Sequence, residues 1–246
     1  MRLLLINPNT TQDLTDRLAA SAARVLPSDV ELLSVTASTG FPYISSRAEA
    51  QIAAVTILEV LAEQIHGIDA AIIAAFGDPG LHAARELFDL PVTGMSEAAM
   101  IMSLSLGERF AFVTFSPRLG PWYAEQVARA GLSARFAGVF TPEEMFGSIT
   151  SVAGDLRSPL IRACLRAARE ADVVILAGAP IAGLAAEISS EVPAVLIDPI
   201  QAAVLQAVAL WRLAPKGADS GCFARPSGKE STGLPKALAS WIARRP

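Results

Sequence analysis

The stretch Ile72-Ile73-Ala74-Ala75-Phe76-Gly77-Asp78-Pro79-Gly80-Leu81 decides the fold. Its first residues are apolar without alternation, the pattern of a strand covered on both faces. Glycine and proline then break the strand. Asp78-Pro79 reads as a helix start, with the aspartate as N-cap and the proline in the first turn. Further along, Val173-Val174-Ile175-Leu176-Ala177-Gly178-Ala179-Pro180 runs the same way. Other short apolar runs are Leu3–Ile6, Val30–Val35, Ala70–Ala74, Phe110–Thr114 and Ala194–Ile197. Segments of helical period separate them, so the expected class is α/β with parallel strands and helices on both faces.

Helix starts are marked in several places. Ser46-Arg47-Ala48-Glu49 is a capping box, predicting a helix to about Ile65. Thr10-Thr11-Gln12-Asp13 opens the first helix in a similar way, and Ser116-Pro117 supplies an N-cap and a proline at the first helical position.

The chain also repeats itself loosely. Leu3–Ile6 with Asn7-Pro8 matches Phe112–Thr114 with Phe115-Ser116-Pro117, and Leu90-Pro91-Val92 matches Val192-Pro193-Ala194-Val195. This predicts two similar halves related by a pseudo-twofold, with strand carboxyl ends facing a shared cleft. The first half takes residues 1–95 plus 199–213 and the second 96–198, and 214–246 is a C-terminal extension. Its Gly/Ser/Lys-rich start reads as a loop. Leu234–Arg244 forms a short helix with Leu234, Leu238, Trp241 and Ile242 on one face, to dock on the core or on a neighbouring subunit. That apolar face is the ground for expecting a homo-oligomer.

Composition narrows the partners. Of 246 residues, 52% are hydrophobic and 18% charged, and the net charge is -4. These values describe a well-covered globular protein and argue against nucleic acid or an anionic membrane as partner. No apolar run reaches bilayer length, and Met1–Asn7 reads as a strand rather than a signal peptide. Two isolated cysteines, Cys164 in an apolar helix and Cys222 in a polar tail, suggest a reducing, cytoplasmic setting. His66 and His82 are the only histidines, and neither stands at metal-ligand spacing. P-loop, Rossmann and G-x-S-x-G signatures are missing, and no metal site is expected.

Six loops at strand ends carry unusual residues. Asn7-Pro8-Asn9-Thr10-Thr11 places amides and hydroxyls beside free backbone N–H groups, either for a ligand or as an ordinary cap with an Asx turn. Thr39–Ser46 brings Pro42, Tyr43 and Ile44, to line a pocket or simply to pack. In Phe76–His82, Gly77 permits close backbone approach and His82 stands four residues after Asp78. An Asp–His general base is one reading, and a plain cap with an exposed histidine is the other. In Gly94–Ala99, Ser96 resembles a cap and Glu97 suits a first turn. Thr114, Phe115 and Ser116 set hydroxyls at a helix start, and Leu176–Gly183, with Ala179 and Pro180, is small and apolar throughout.

Taken together, Ile6–Thr11, Phe76–Leu81, Pro91–Ala99, Arg109–Thr114 and Val195–Val204 resemble the hydantoin/allantoin racemase branch of the Asp/Glu racemase superfamily, in order from about residue 2 to residue 213. The resemblance implies two flavodoxin-like halves with the site between them. It also implies cofactor-independent proton transfer at a carbon next to a carbonyl, one cysteine from each half serving as base and acid. Those cysteines fall on Ala75 and Gly178, and neither residue can carry a proton. The cradle falls on Asn9, Pro42, Ile44, Gly77, Thr114, Phe115, Ser116 and Ala179, with Tyr43, Phe76 and Pro180 beside them. Three readings follow. The chain is an enzyme of the superfamily for a hydantoin-, ureide- or amino-acid-like substrate, impaired at Ala75. With a cysteine at 75 it is a one-thiol relative doing ring-opening hydrolysis, decarboxylation or cis–trans isomerisation. Or it binds such a molecule without catalysis. A fourth keeps catalysis and moves it to Asp78 and His82.

Overall fold

The computed structural model describes residues 1–144, 148–214, 218 and 220–243. The first half runs β1 (Arg2–Asn7), α1 (Gln12–Ala23), β2 (Glu31–Thr36), α2 (Arg47–Gln64), β3 (Ala70–Ile73), α3 (Leu81–Leu87) and β4 (Val92–Gly94). Next come α4 (Met95–Ser103), β5 (Phe110–Val113), α5 (Gly120–Arg129), β6 (Phe136–Phe140), α6 (Val152–Asp155), α7 (Arg157–Ala167), β7 (Val173–Leu176), α8 (Leu184–Ile188) and β8 (Val195–Ile197). The chain ends with α9 (Pro199–Arg212) and α10 (Lys236–Ala243).

Among the described residues the strands form two sheets, ordered β2-β1-β3-β4 and β6-β5-β7-β8. All neighbours are parallel. The same order in both halves is the flavodoxin-like pattern and the pseudo-twofold that the repeats predict. The central strands β1, β3, β5 and β7 are almost wholly buried, which is why they read as continuous apolar runs. All six strands expected from the sequence are present, with ends shifted by about a residue. Two were not expected. β4 is three residues long, too short for a periodicity, and β6 is a half-buried edge strand whose register skips Ala137.

One continuous core joins the halves, running from Leu3 and Leu5 through Phe110 and Phe112 to Ala203 and Val204. α9 leaves the second sheet and returns to pack on β3, β4, α1 and α4. Asp198 caps it, accepting from the Ile200 N–H at 3.2 Å.

The capping box at α2 forms. Ser46 accepts from the Glu49 N–H at 3.3 Å, and the Glu49 carboxylate reaches back to the Ser45 N–H at 2.6 Å, one residue before the cap. Thr11 precedes α1, yet its hydroxyl donates to the Pro42 carbonyl at 2.8 Å instead of capping, which ties the first two loops together. Ser116 opens a single 3-10 turn, Pro117–Leu119, ahead of α5.

The C-terminal helix docks on its own chain. It lies against α2, with Leu238 buried and Trp241 edge-on to Phe88 at 5.3 Å. The Arg225 guanidinium covers the other side of Trp241 at 4.9 Å. The face read as a ground for self-association is therefore used inside the chain, apart from the exposed Leu234. The expected helix end, Arg244, and Pro215, Lys216, Gly217 and Asp219 of the preceding loop lie outside the described residues.

Candidate functional site

The loops at the carboxyl ends of both sheets converge. Ala75 follows β3 and Gly178 follows β7, and the two line the same cavity. Asn9 after β1, Tyr43 and Ile44 after β2, and Phe115 after β5 complete it, with Phe76, Ala179 and Pro180. The space is about 20 Å³, room for about one water molecule.

The cavity wall is mostly apolar, so its polar atoms matter individually. Asn7 Oδ1 accepts from both the backbone N–H and Nδ2 of Asn9, at 3.0 and 2.7 Å. Asn7 Nδ2 donates to Thr15 Oγ1 at 2.9 Å and to the Thr11 carbonyl at 3.3 Å. These bonds fix the orientation of both amides. They leave Asn9 Oδ1, on a residue only 3% exposed, without a hydrogen-bond partner among the described residues. An unsatisfied buried acceptor costs about 1–3 kcal/mol until a donor reaches it.

Two lining residues escaped the sequence reading, Leu14 of α1 and Tyr123 of α5. Tyr123 packs edge-on against Phe76 at 4.7 Å. Burial pushes its phenol pKa up and the Thr114 side chain pulls it down, with burial prevailing. The hydroxyl stays protonated and is a neutral donor. The Trp122-Tyr123 pair just after Ser116-Pro117 was the available signal.

Other expected residues lie off the cavity. Pro42 is exposed and holds Thr11 through its carbonyl. Thr114 is buried behind Tyr123, and Ser116 is half-buried at the start of its 3-10 turn. Gly77 serves a different neighbour from the one expected. A Cβ there would stand 2.6 Å from the Trp122 ring, so the glycine admits the indole.

Asp78 corrects the sequence reading most clearly. α3 begins at Leu81 with Gly80 as its N-cap, so Asp78 does not cap its own helix. Its carboxylate reaches across to α4, accepting from the Ser96 and Glu97 N–H groups at 2.9 and 2.8 Å. Asp78 adopts φ 50°, a left-handed conformation that aspartate tolerates. Gly94 makes the approach possible, because a Cβ there would lie 2.3 Å from the Asp78 carboxyl carbon. Ser96 consequently sits in the first turn of α4 rather than at its cap, and Glu97 pairs with Arg85 at 2.6 Å. Burial pushes the Asp78 pKa up to about 7, against the two N–H donors that lower it.

His82 is exposed and rests edge-on against Phe223 at 5.6 Å. With Asp78 it borders a separate groove of about 330 Å³, floored by Trp122 and Met100, rather than the cavity between Ala75 and Gly178. No hydrogen bond joins Asp78 to His82 among the described residues.

Asp198 holds the loop that follows Gly178. Its Oδ2 accepts from the Gly183 N–H at 2.5 Å and from Ser21 Oγ of α1 at 2.7 Å. Burial raises its pKa and these donors oppose the rise. Cys164 is fully buried and its thiol is pushed up to about 12, which makes it inert packing. Among the described residues no group of His, Cys, Asp and Glu could hold a metal ion, and no helix is long and apolar enough to cross a membrane.

The family model for Asp/Glu/Hydantoin racemase matches residues 3–207. A hydantoin racemase from Paenarthrobacter aurescens is 31% identical, over 94% of this chain and 99% of its own length. The solved allantoin racemase from Klebsiella pneumoniae is 32% identical with a TM-score of 0.90, covering 97% of this chain and 98% of that one. Allantoin racemase from Pseudomonas fluorescens gives 28% and 0.86, over 95% and 100%. With the two halves, the convergent loops and a match over most of its length, the chain belongs to the Asp/Glu/hydantoin racemase family.

Proposed function

We propose that this chain binds a small hydantoin-, ureide- or amino-acid-like carbonyl compound in the cleft, cofactor-free, and does not racemise it by the two-thiol route. The observation that carries the reading is Asn9 Oδ1, an oriented, buried acceptor with no partner among the described residues, on the wall shared by Ala75 and Gly178. Such an atom calls for an N–H donor, which a ureide or hydantoin ring supplies. Tyr123 offers a protonated hydroxyl to a carbonyl on the same molecule. Admitting such a ligand requires the cavity, which holds about one water molecule in this conformation, to widen, and Tyr43, Ile44, Phe76, Phe115, Ala179 and Pro180 then supply contact surface.

Alanine and glycine cannot exchange a proton with a carbon acid, which supports the reading that the two-thiol route does not run here. The α9 helix on β3 and β4 supports grouping residues 199–213 with the first half. Two unpaired cysteines support a reducing compartment.

Calorimetric titration with hydantoin and allantoin, beside proton NMR of a 5-alkylhydantoin in heavy water, tests the reading. Binding is expected, with no loss of the α-proton above the protein-free rate. Methylating both ring nitrogens of hydantoin should weaken binding about tenfold or more, because Asn9 Oδ1 stays unpaired. Absence of binding, or racemisation by the chain as it stands, would sink the proposal.

A further inference from the structure

Gly178 differs from Ala75 in more than its missing side chain. A Cβ built on Gly178 would stand 2.8 Å from Phe115 Cε1 and 3.3 Å from Cδ1. Phe115 is only 3% exposed, so its ring cannot swing into solvent to make room. Gly178 also holds φ 137° and ψ 138°, a backbone conformation that L side chains rarely adopt. Space and backbone therefore each disfavour a side chain at 178. Ala75 already carries its Cβ in the same cavity, with no positive φ.

We propose that Phe115 occupies the place of a side chain at position 178 and is a specificity-determining residue, selecting ligands with a flat ring to lie against it. The proposal rests on the reading of the cleft as a ligand site. Phe115 shares the cavity with Phe76, Tyr43 and Tyr123, so an aromatic wall stands where the second half would have presented its acid or base. A planar ring gains stacking contact on that wall, and an open-chain molecule with the same N–H and C=O groups does not.

Two measurements test this. The first compares hydantoin with a neutral open-chain counterpart, N-carbamoylglycinamide, on the native chain and on Phe115→Leu. Leucine keeps the site apolar and removes the ring face. Affinity for hydantoin is expected to fall about threefold to tenfold, with N-carbamoylglycinamide unchanged. An equal change for both ligands, or none, overturns the specificity role and leaves the binding function standing. Failure of the native chain to bind either ligand overturns both.

The second is a double-mutant cycle on thermal stability with Gly178→Ala and Phe115→Leu. Leucine lacks the Cε1 atom that the new Cβ would meet. The loss of Tm caused by Gly178→Ala should be smaller in the Phe115→Leu background. Strictly additive effects would show that Phe115 does not fill the space at 178 and would overturn the proposal. The cycle reads folding alone, so it holds even where ligand binding is weak.

Discussion

At the scale of single residues, the two positions where cysteines are expected are not equivalent. Ala75 ends a buried strand and faces the cavity with its Cβ in place. Gly178 sits in a glycine conformation with Phe115 against it. The family resemblance placed both positions, and the small, apolar loop around Gly178 already set it apart from Ala75, but the obstacle at 178 was hidden because it comes from a residue on another strand's loop. Asp78 teaches a similar lesson. Its identity suggested a cap, and it does cap, but on a helix that starts well further along the chain. Its titration also has a definite sign. Burial raises its pKa from 3.8 to about 7, so between these values the folded chain holds a proton that the unfolded chain has released. The Asp78 contribution to stability is therefore complete below pH 3.8 and is lost as pH rises through about 7. Urea denaturation across that range should show the native chain losing stability relative to Asp78→Asn, which mimics the protonated form. A parallel pH dependence in the two chains would refute the assignment.

Among the elements, the helices with side-chain caps were the most legible. Ser46 and Glu49 announce α2 because a capping box is local, three residues wide and independent of the rest of the fold. Replacing Ser46 with alanine should cost about 1 kcal/mol, read as a lower urea midpoint with an unchanged m-value. The neighbouring Arg47–Glu125 ion pair joins α2 to α5, but both side chains are half exposed, so its loss should change little. The central strands β1, β3, β5 and β7 were the plainest, because both of their faces are buried. β4 and β6 were missed because one is too short and the other is a half-exposed edge, where apolar continuity fades. Thr11 and Ser116 stand at the predicted helix starts without bonding as side-chain caps, since cap grammar marks a position and not the bond made there.

On the scale of the whole molecule, the tail is part of the fold. Arg225 lies over the Trp241 ring, Phe88 meets that ring edge-on, and Leu238 seals the outer face of the first half against α2. Arg225 also donates to the Leu87 carbonyl at 2.8 Å, clamping the end of α3. Truncating Leu238 to alanine should cost about 2 kcal/mol or more, measured by chemical denaturation. An unchanged midpoint would mean that the tail adds nothing to the stability of the core.

The α/β class, the pairing of two halves, six strands and the loops that meet at the cleft were all determined by the sequence alone. The physical reason is that apolar runs, caps and glycine–proline breaks act over a few residues and repeat in both halves. The tertiary structure decided which atoms face one another: the unpaired Asn9 Oδ1, the Tyr123 hydroxyl, Phe115 in the space beside Gly178, and Asp78 withdrawn to α4 away from the cavity. Those relations are distances between segments remote in the chain, set by how two sheets and their helices pack, and no local pattern encodes them.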